Sequence, residues 1–263
     1  MKRPPDSISS AKREISQVAP TDFHHPDASI ETRIPHTNSS RRGFLRRAAG
    51  GTLVGLLTAA GMEYAAPDTV QAQSTLSPDA ALQELVNGNQ RFSSNRLTAF
   101  EQDLGILKQK TVEKQEPFAA VLSCADSRVP VELVFDQSIG HIFVTRVAGN
   151  VVTPEIIASL EYGAAVLGTK VILVMGHGNC GAVKATIQAK EVPGQISALY
   201  PHIQPAVDQA GSNLEAATKA NAKIQAALLR EASTVVAGLV KEGKLKVVAG
   251  YYDISSGGVS LLE

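Results

Sequence analysis

Apolar positions along this chain fall into two kinds of run. Unbroken aliphatic stretches end at residues 123, 147, 177 and 252. Between them, apolar residues recur every three or four positions. The unbroken β-branched runs, bounded by turn residues, predict buried strands, and the longer spacing predicts one-sided helices. Strands are expected over Gln115–Cys124 (entered through Pro117), Ile142–Val147, Lys170–His177 and Leu245–Tyr252. Val259–Leu262, after the turn 253–258, reads as a fifth, antiparallel edge strand. Val129–Gln137 predicts a short helix. Thr153-Pro154-Glu155 opens another, with Pro at its first position, running to Leu167 with Ile156, Ile157, Leu160 and Ala164 inward. Ala182–Lys190 follows. Ile196–Lys244 is Ala-rich and helical, with breaks around Pro201–Pro205 and Gly211, and Asn213–Lys244 reads as one long helix. Upstream, Pro78–Phe92 puts Leu82, Leu85, Val86 and Phe92 on one side, and Leu97–Val112 forms a second helical segment. Strands alternating with helices predict an α/β fold: a mostly parallel central sheet of four to five strands, helices on both faces, and a helical N-terminal extension.

Residues 1–40 have no apolar period and are rich in Pro, Ser, Thr, Asp and His, so disorder is expected there. Next come Arg41-Arg42-Gly43-Phe44-Leu45-Arg46-Arg47, an apolar Gly/Ala-rich run from Ala48 to Met62, and Val70-Gln71-Ala72. A basic segment, an apolar segment and a small-x-small site make an export signal, and the paired arginines resemble a twin-arginine (Tat) signal. A membrane anchor is the competing reading. The uncharged run is shorter than the roughly 20 residues a spanning helix needs, and Glu63 interrupts it. The expected organisation is therefore 1–72 as a disordered segment plus export signal, and 73–263 as the working domain. Cleavage is expected near Ala72, leaving a periplasmic or otherwise exported chain with no stable membrane span.

Charge narrows the partners. Lys plus Arg and Asp plus Glu are balanced at 25 each in 263 residues, which gives no footprint for nucleic acid. Tryptophan is absent and aromatics are few, which argues against a base-stacking surface as well.

The chemistry sits at strand ends. The third strand stops in Gly176-His177-Gly178-Asn179-Cys180-Gly181, and the first stops in Cys124-Ala125-Asp126-Ser127-Arg128. Parallel strands bring their C-terminal ends to one edge, so Cys124, His177 and Cys180 can converge there. Two thiolates and an imidazole bind Zn2+ tightly and leave a fourth position for water, whose pKa zinc lowers towards about 7. The chain's two cysteines equally admit a Cys124–Cys180 disulfide, natural in an exported protein. That reading leaves His177 without a role, unless it is simply a satisfied loop histidine. Gly176-x-Gly178-x-x-Gly181 also matches a dinucleotide fingerprint. It lies on the wrong strand for one, and the expected acid about 20 residues on is missing. Asp126 and Arg128, two apart, are either a plain ion pair or an orienting pair beside the metal.

CADSRVP together with HGNCGAV resembles the β-class carbonic anhydrases, and the resemblance spans about residues 80–263. It implies one zinc per chain on Cys124, His177 and Cys180, with Asp126 and Arg128 as the catalytic dyad. It matches Gln115, Phe143 and Tyr162 to the family's substrate-pocket residues, with the last two lining the pocket of their own or of a neighbouring subunit. The implied activity is reversible hydration of carbon dioxide to bicarbonate and a proton by a zinc lyase, in a homodimer or higher even homo-oligomer. The family has one form in which the aspartate pairs with arginine, and another in which it caps the zinc beside a bicarbonate pocket that includes tryptophan. The absence of tryptophan matches the first, so an open site is expected. Hydrolysis of CS2 or COS on the same fold, or a non-catalytic zinc-binding or disulfide-stapled scaffold, are the competing functions. His141 and His202 are proton-shuttle candidates by residue type only.

Overall fold

The computed structural model describes residues 74–99, 105, 111–112 and 114–263. The expected export segment, and most of the expected helix Leu97–Val112, lie outside these residues.

Helix α1 (Pro78–Ser93) starts where Ser77 Oγ accepts the Ala80 N–H, with Pro78 and Asp79 in the first turn and Arg91 in the last. Those are the residue types that a helix start and end favour. Leu85 is fully buried, while Leu82 and Phe92 lie half-buried against the core. At Gly88 the helix rests on the chain itself: a Cβ there would lie 1.8 Å from the Phe135 carbonyl oxygen.

The chain continues through β1 (Ala119–Ser123), α2 (Val131–Val134), β2 (Ile142–Arg146), α3 (Pro154–Glu161), β3 (Val171–His177) and α4 (Gly181–Ile187). Then follow α5 (Tyr200–Ala210), α6 (Leu214–Ala232), α7 (Thr234–Lys241), β4 (Lys246–Tyr252) and β5 (Val259–Leu262). The sheet order is β2-β1-β3-β4-β5, parallel except for antiparallel β5. Every residue of β1 and β3 is buried, as befits parallel strands covered on both faces. Alternate residues serve opposite faces. Ala119 and Val121 pack with Leu85, Val134 and Phe135 of α1 and α2's end. Ala120 and Leu122 pack with Leu160, Leu229 and Val236 from α3, α6 and α7.

The expected five-strand layout stands, with three corrections. Strand β1 starts at Ala119, four residues later than read, because 115–118 lies outside the ladder. Helix α3 does run on, through a π-helical turn over Tyr162–Val166, to its expected end, where Gly168 closes it at φ 74°. Pro201 and Pro205 do not break α5: Pro201 occupies its first turn, where no N–H is needed, and Pro205 costs one bond further in. The single helix read over Asn213–Lys244 is two, divided at Ser233. Ser233 is extended; its Oγ accepts the Val236 N–H to start α7 and donates to Glu161 Oε1 at 2.6 Å.

Asp136 ties α1 to this frame. Its buried carboxylate accepts hydrogen bonds from Arg91 Nε, from the Thr98 and Ala99 N–H groups and from Thr98 Oγ1. Burial pushes this carboxyl up, but the four donors overcome it and hold it at about 2. The unfolded value is about 3.9. A pKa lowered by folding gives stability that is whole above the unfolded value and lost as pH falls through the folded one. The contribution is about 2 kcal/mol. Urea unfolding of wild type and Asp136→Asn should therefore show a gap near neutral pH that shrinks as the pH falls from about 4 to about 2.

Candidate metal centre

The parallel register places Ser123 opposite Met175, so Cys124 emerges beside the end of β3. His177 is the last residue of β3. Gly178 and Asn179, the latter at φ 53°, turn the chain so that Cys180 becomes the N-cap of α4. One donor atom from each of Cys124, His177 and Cys180 lies within 4.8 Å of the other two. The cysteines are free thiols, and His177 and Cys180 are fully buried.

The imidazole is set for a metal. His177 Nδ1 lies 2.9 Å from the Gly178 carbonyl oxygen. A carbonyl only accepts, so Nδ1 carries the proton and Nε2 keeps its lone pair. Nε2 is buried and has no hydrogen-bond partner in the protein. An orphaned imidazole nitrogen facing two sulfurs is the donor set of a tetrahedral zinc site with one position open. The Cys180 hydrogen bond to Cys124 draws Cys124 well below the ordinary thiol range, and the same contact plus burial pushes Cys180 far above it. The Gly149 N–H also donates to Cys124 Sγ, at 3.3 Å.

Asp126 and Arg128 stand at the mouth. Arg128 Nε donates to Asp126 Oδ1 at 2.9 Å and Nη2 to Oδ2 at 2.7 Å, a two-pronged pair. The Arg128 N–H adds a third bond to Oδ1. The guanidinium, more than the other contacts, holds the Asp126 carboxyl far below the usual carboxylate range, so it is an ionised acceptor at neutral pH. Its Oδ2 lies 3.9 Å from His177 Nε2. Arg128 Nη2 also reaches the Asn179 carbonyl at 3.2 Å, joining the two ligand loops.

Gln115, Phe143 and Tyr162 are not brought to this cluster. Phe143 pairs with Ala120, four residues before Cys124, which places it about 13 Å back along the strands at the usual rise. Gln115 is exposed and lies before β1, outside the ladder. Tyr162 is 47% exposed, and its ring centroid is 6.3 Å from that of Phe143. These aromatics form a pair on β2 and the end of α3, away from their own chain's metal ligands. His141 precedes β2, at the opposite edge of the sheet from Cys124; its carbonyl accepts the Phe118 N–H. A surface recess of about 550 Å³ between α1 and the start of β4, lined by Leu82, Arg230 and Lys246 among others, holds none of the site residues.

Sequence reading missed two groups that hold the ligand loops. Arg146, the last residue of β2, donates through Nε to the Cys124 carbonyl at 2.9 Å and through Nη2 to the Asp126 carbonyl. Gly149 holds the Cys124 sulfur. An arginine ending a strand beside a ligand loop was one available signal, and Gly-Asn at a turn was another.

Sulfur and imidazole donors at the carboxyl edge of a parallel sheet, with a guanidinium-held carboxylate beside them, make this an α/β zinc enzyme. A family model described as carbonic anhydrase matches residues 119–259. A carbonic anhydrase of Mycolicibacterium smegmatis is 34% identical over 194 residues, covering 70% of this chain and 93% of that protein. Carbonic anhydrase 2 of Mycobacterium tuberculosis is 31% identical over 189 residues, covering 69% and 91%. Among solved structures, a Coccomyxa β-carbonic anhydrase in complex with acetazolamide superposes with TM-score 0.53 at 26% identity, covering 69% of this chain and 86% of that one. A tetrameric β-carbonic anhydrase of Sordaria macrospora shares the fold at TM-score 0.55 and 20% identity, covering 69% and 96%. The chain belongs to the β-carbonic anhydrase family.

Arg128→Ala removes the donors that aim Asp126 while leaving the sulfurs and imidazole intact. It should lower kcat/KM for carbon dioxide hydration about 10–100-fold, the usual cost of losing a partner one layer out from a metal. Metal content by elemental analysis should stay at the wild-type level.

Proposed function

We propose that Cys124, His177 and Cys180 hold zinc for the reversible hydration of carbon dioxide, the lyase reaction of this family. The observation that carries the assignment is the buried, partnerless Nε2 of His177 grouped with two free sulfurs. Zinc bound there supplies Lewis acidity, which brings a coordinated water's pKa down towards about 7.

The chain's own residues do the rest. Asp126, ionised and held at both oxygens by Arg128, accepts a hydrogen bond from the attacking water and points the oxygen's lone pair at the substrate carbon. The same grip keeps Asp126 off the metal, which supports the open form of the site. Burial of the sulfurs and imidazole keeps competing solvent from the ligands. Phe143 and Tyr162 supply apolar wall for carbon dioxide, and Gln115 a hydrogen bond to its oxygen. They lie away from their own chain's cluster, so they serve the site of a neighbouring copy in a homodimer or higher even assembly. The tetrameric Sordaria relative supports an assembly of this kind.

Stopped-flow hydration of carbon dioxide by wild type and Cys124→Ser tests this reading. Wild type should turn over with one zinc per chain, and Cys124→Ser should lose both metal and activity. A metal-free wild type, or zinc-loaded protein without turnover, would reject it.

The chain is also proposed to be exported by its Arg41-Arg42 signal and cut near Ala72. No described helix is long and apolar enough to cross a membrane. Cell fractionation should find wild type in the periplasm, beginning near Gln73, and the Arg41→Lys, Arg42→Lys double variant retained and uncut. Equal fractionation of the two would refute a twin-arginine route.

A further inference from the structure

Helix α6 turns a buried face of alanine, threonine and leucine to the sheet, interrupted by two amides: Asn221, 0% exposed, and Gln225, 1% exposed. They stand four residues apart and so share one stripe. Amides on an apolar face are costly unless their donors and acceptors are filled. One short segment, 149–152, fills one polar atom of each. Asn221 Nδ2 donates to the Gly149 carbonyl at 2.8 Å, and Gln225 Oε1 accepts the Val152 N–H at 2.8 Å. Gln225 Nε2 donates to Asn221 Oδ1 at 3.3 Å and to the His202 carbonyl, on α5, at 2.9 Å.

The gripped segment is a left-handed turn. Gly149 and Asn150 lie at φ 76° and 45°, a conformation that Gly and Asn adopt and most other residues avoid. The buried Asn150 amide makes no hydrogen bond within the protein, so its own side chain does not secure the turn. From α5, Ile203 closes so tightly that a Cβ at Gly149 would sit 2.7 Å from its Cδ1. The turn held between α5 and α6 is the one whose Gly149 N–H donates to Cys124 Sγ.

We propose that Asn221 and Gln225 are positioning residues for the metal centre, keeping the Gly149 N–H on the Cys124 sulfur from the far side of the turn. A donor on a thiolate withdraws charge from it and fixes its direction, so the relay governs how firmly that sulfur holds metal. The inference rests on the zinc reading of Cys124, His177 and Cys180.

Cadmium-substituted protein tests it by NMR. Wild type should show scalar coupling between the Gly149 amide proton and the metal, carried across the N–H···S hydrogen bond. Asn221→Leu should lose the coupling and give up zinc to a chromophoric chelator about 10–100 times faster. Thr218→Val, on the same buried face, removes a hydroxyl that donates to Leu214 O within the helix, and should leave both readings unchanged. Gln225→Met, read the same way, replaces Asn221→Leu should that variant not fold. The relay is refuted by absent coupling in wild type. It is equally refuted by variants that unfold at lower temperature yet keep the coupling and release rate, or by Thr218→Val moving both as much. A wild type that binds neither zinc nor cadmium defeats the zinc reading itself, whereas metal binding with unchanged variants defeats only the relay.

Discussion

Parallel pairing of β1 with β3 sets Ser123 against Met175, so Cys124, the residue after β1, and His177, the last residue of β3, lie at the same edge of the sheet. Cys124 and His177 are fifty-three residues apart in sequence, yet they meet because two fully buried strands lie side by side in one register. The side-chain period of a strand is two, so a slip of a single residue would move every side chain to the opposite face of the sheet and into the wrong core. Packing on both faces of the sheet forbids that slip. Leu122 and Ile172 fill one side, and Val121 and Leu173 the other. The core is therefore what aligns the donors, and the loops only finish the aim.

Around the donors the structure sorts charge with care. The buried ligands are sulfur and imidazole, while the charged pair, Asp126 and Arg128, sits at the solvent side, where side-chain exposure is 17% and 49%. Burying an unpaired carboxylate next to two thiolates would be costly. A guanidinium at the mouth removes that cost and gives the carboxylate a fixed direction. Arg146 adds a second cation, spent on the carbonyls of Cys124 and Asp126. The two arginines thus brace one loop from two sides, one through its side chain and one through its backbone.

Much of this was legible beforehand, for a physical reason. Strands buried on both faces leave unbroken aliphatic runs, and the residues ending those runs were Cys124 and His177. Edge strand β5 was readable from the turn before it. Boundaries were harder. Ser233 looks helical by pattern, and only its bonds to Val236 and Glu161 show that it ends one helix and starts another. Pro201 and Pro205 looked like breakers, but a proline in a first turn removes nothing that was bonded. Gln115, Phe143 and Tyr162 were identified by likeness of position, and periodicity carries no information about distance from the metal. Arg146 and Gly149 left only faint signals, and Asn221 and Gln225 none, because their roles depend on contacts across 22 to 73 residues.

A ligand set divided between two central strands also bears on how the protein comes to be correct. Chains with swapped strands or a shifted ladder scatter their sulfurs and bind the ion weakly, so they gain nothing from it. The ion rewards only the finished arrangement, and in doing so it inspects the topology of the sheet as well as completing the enzyme.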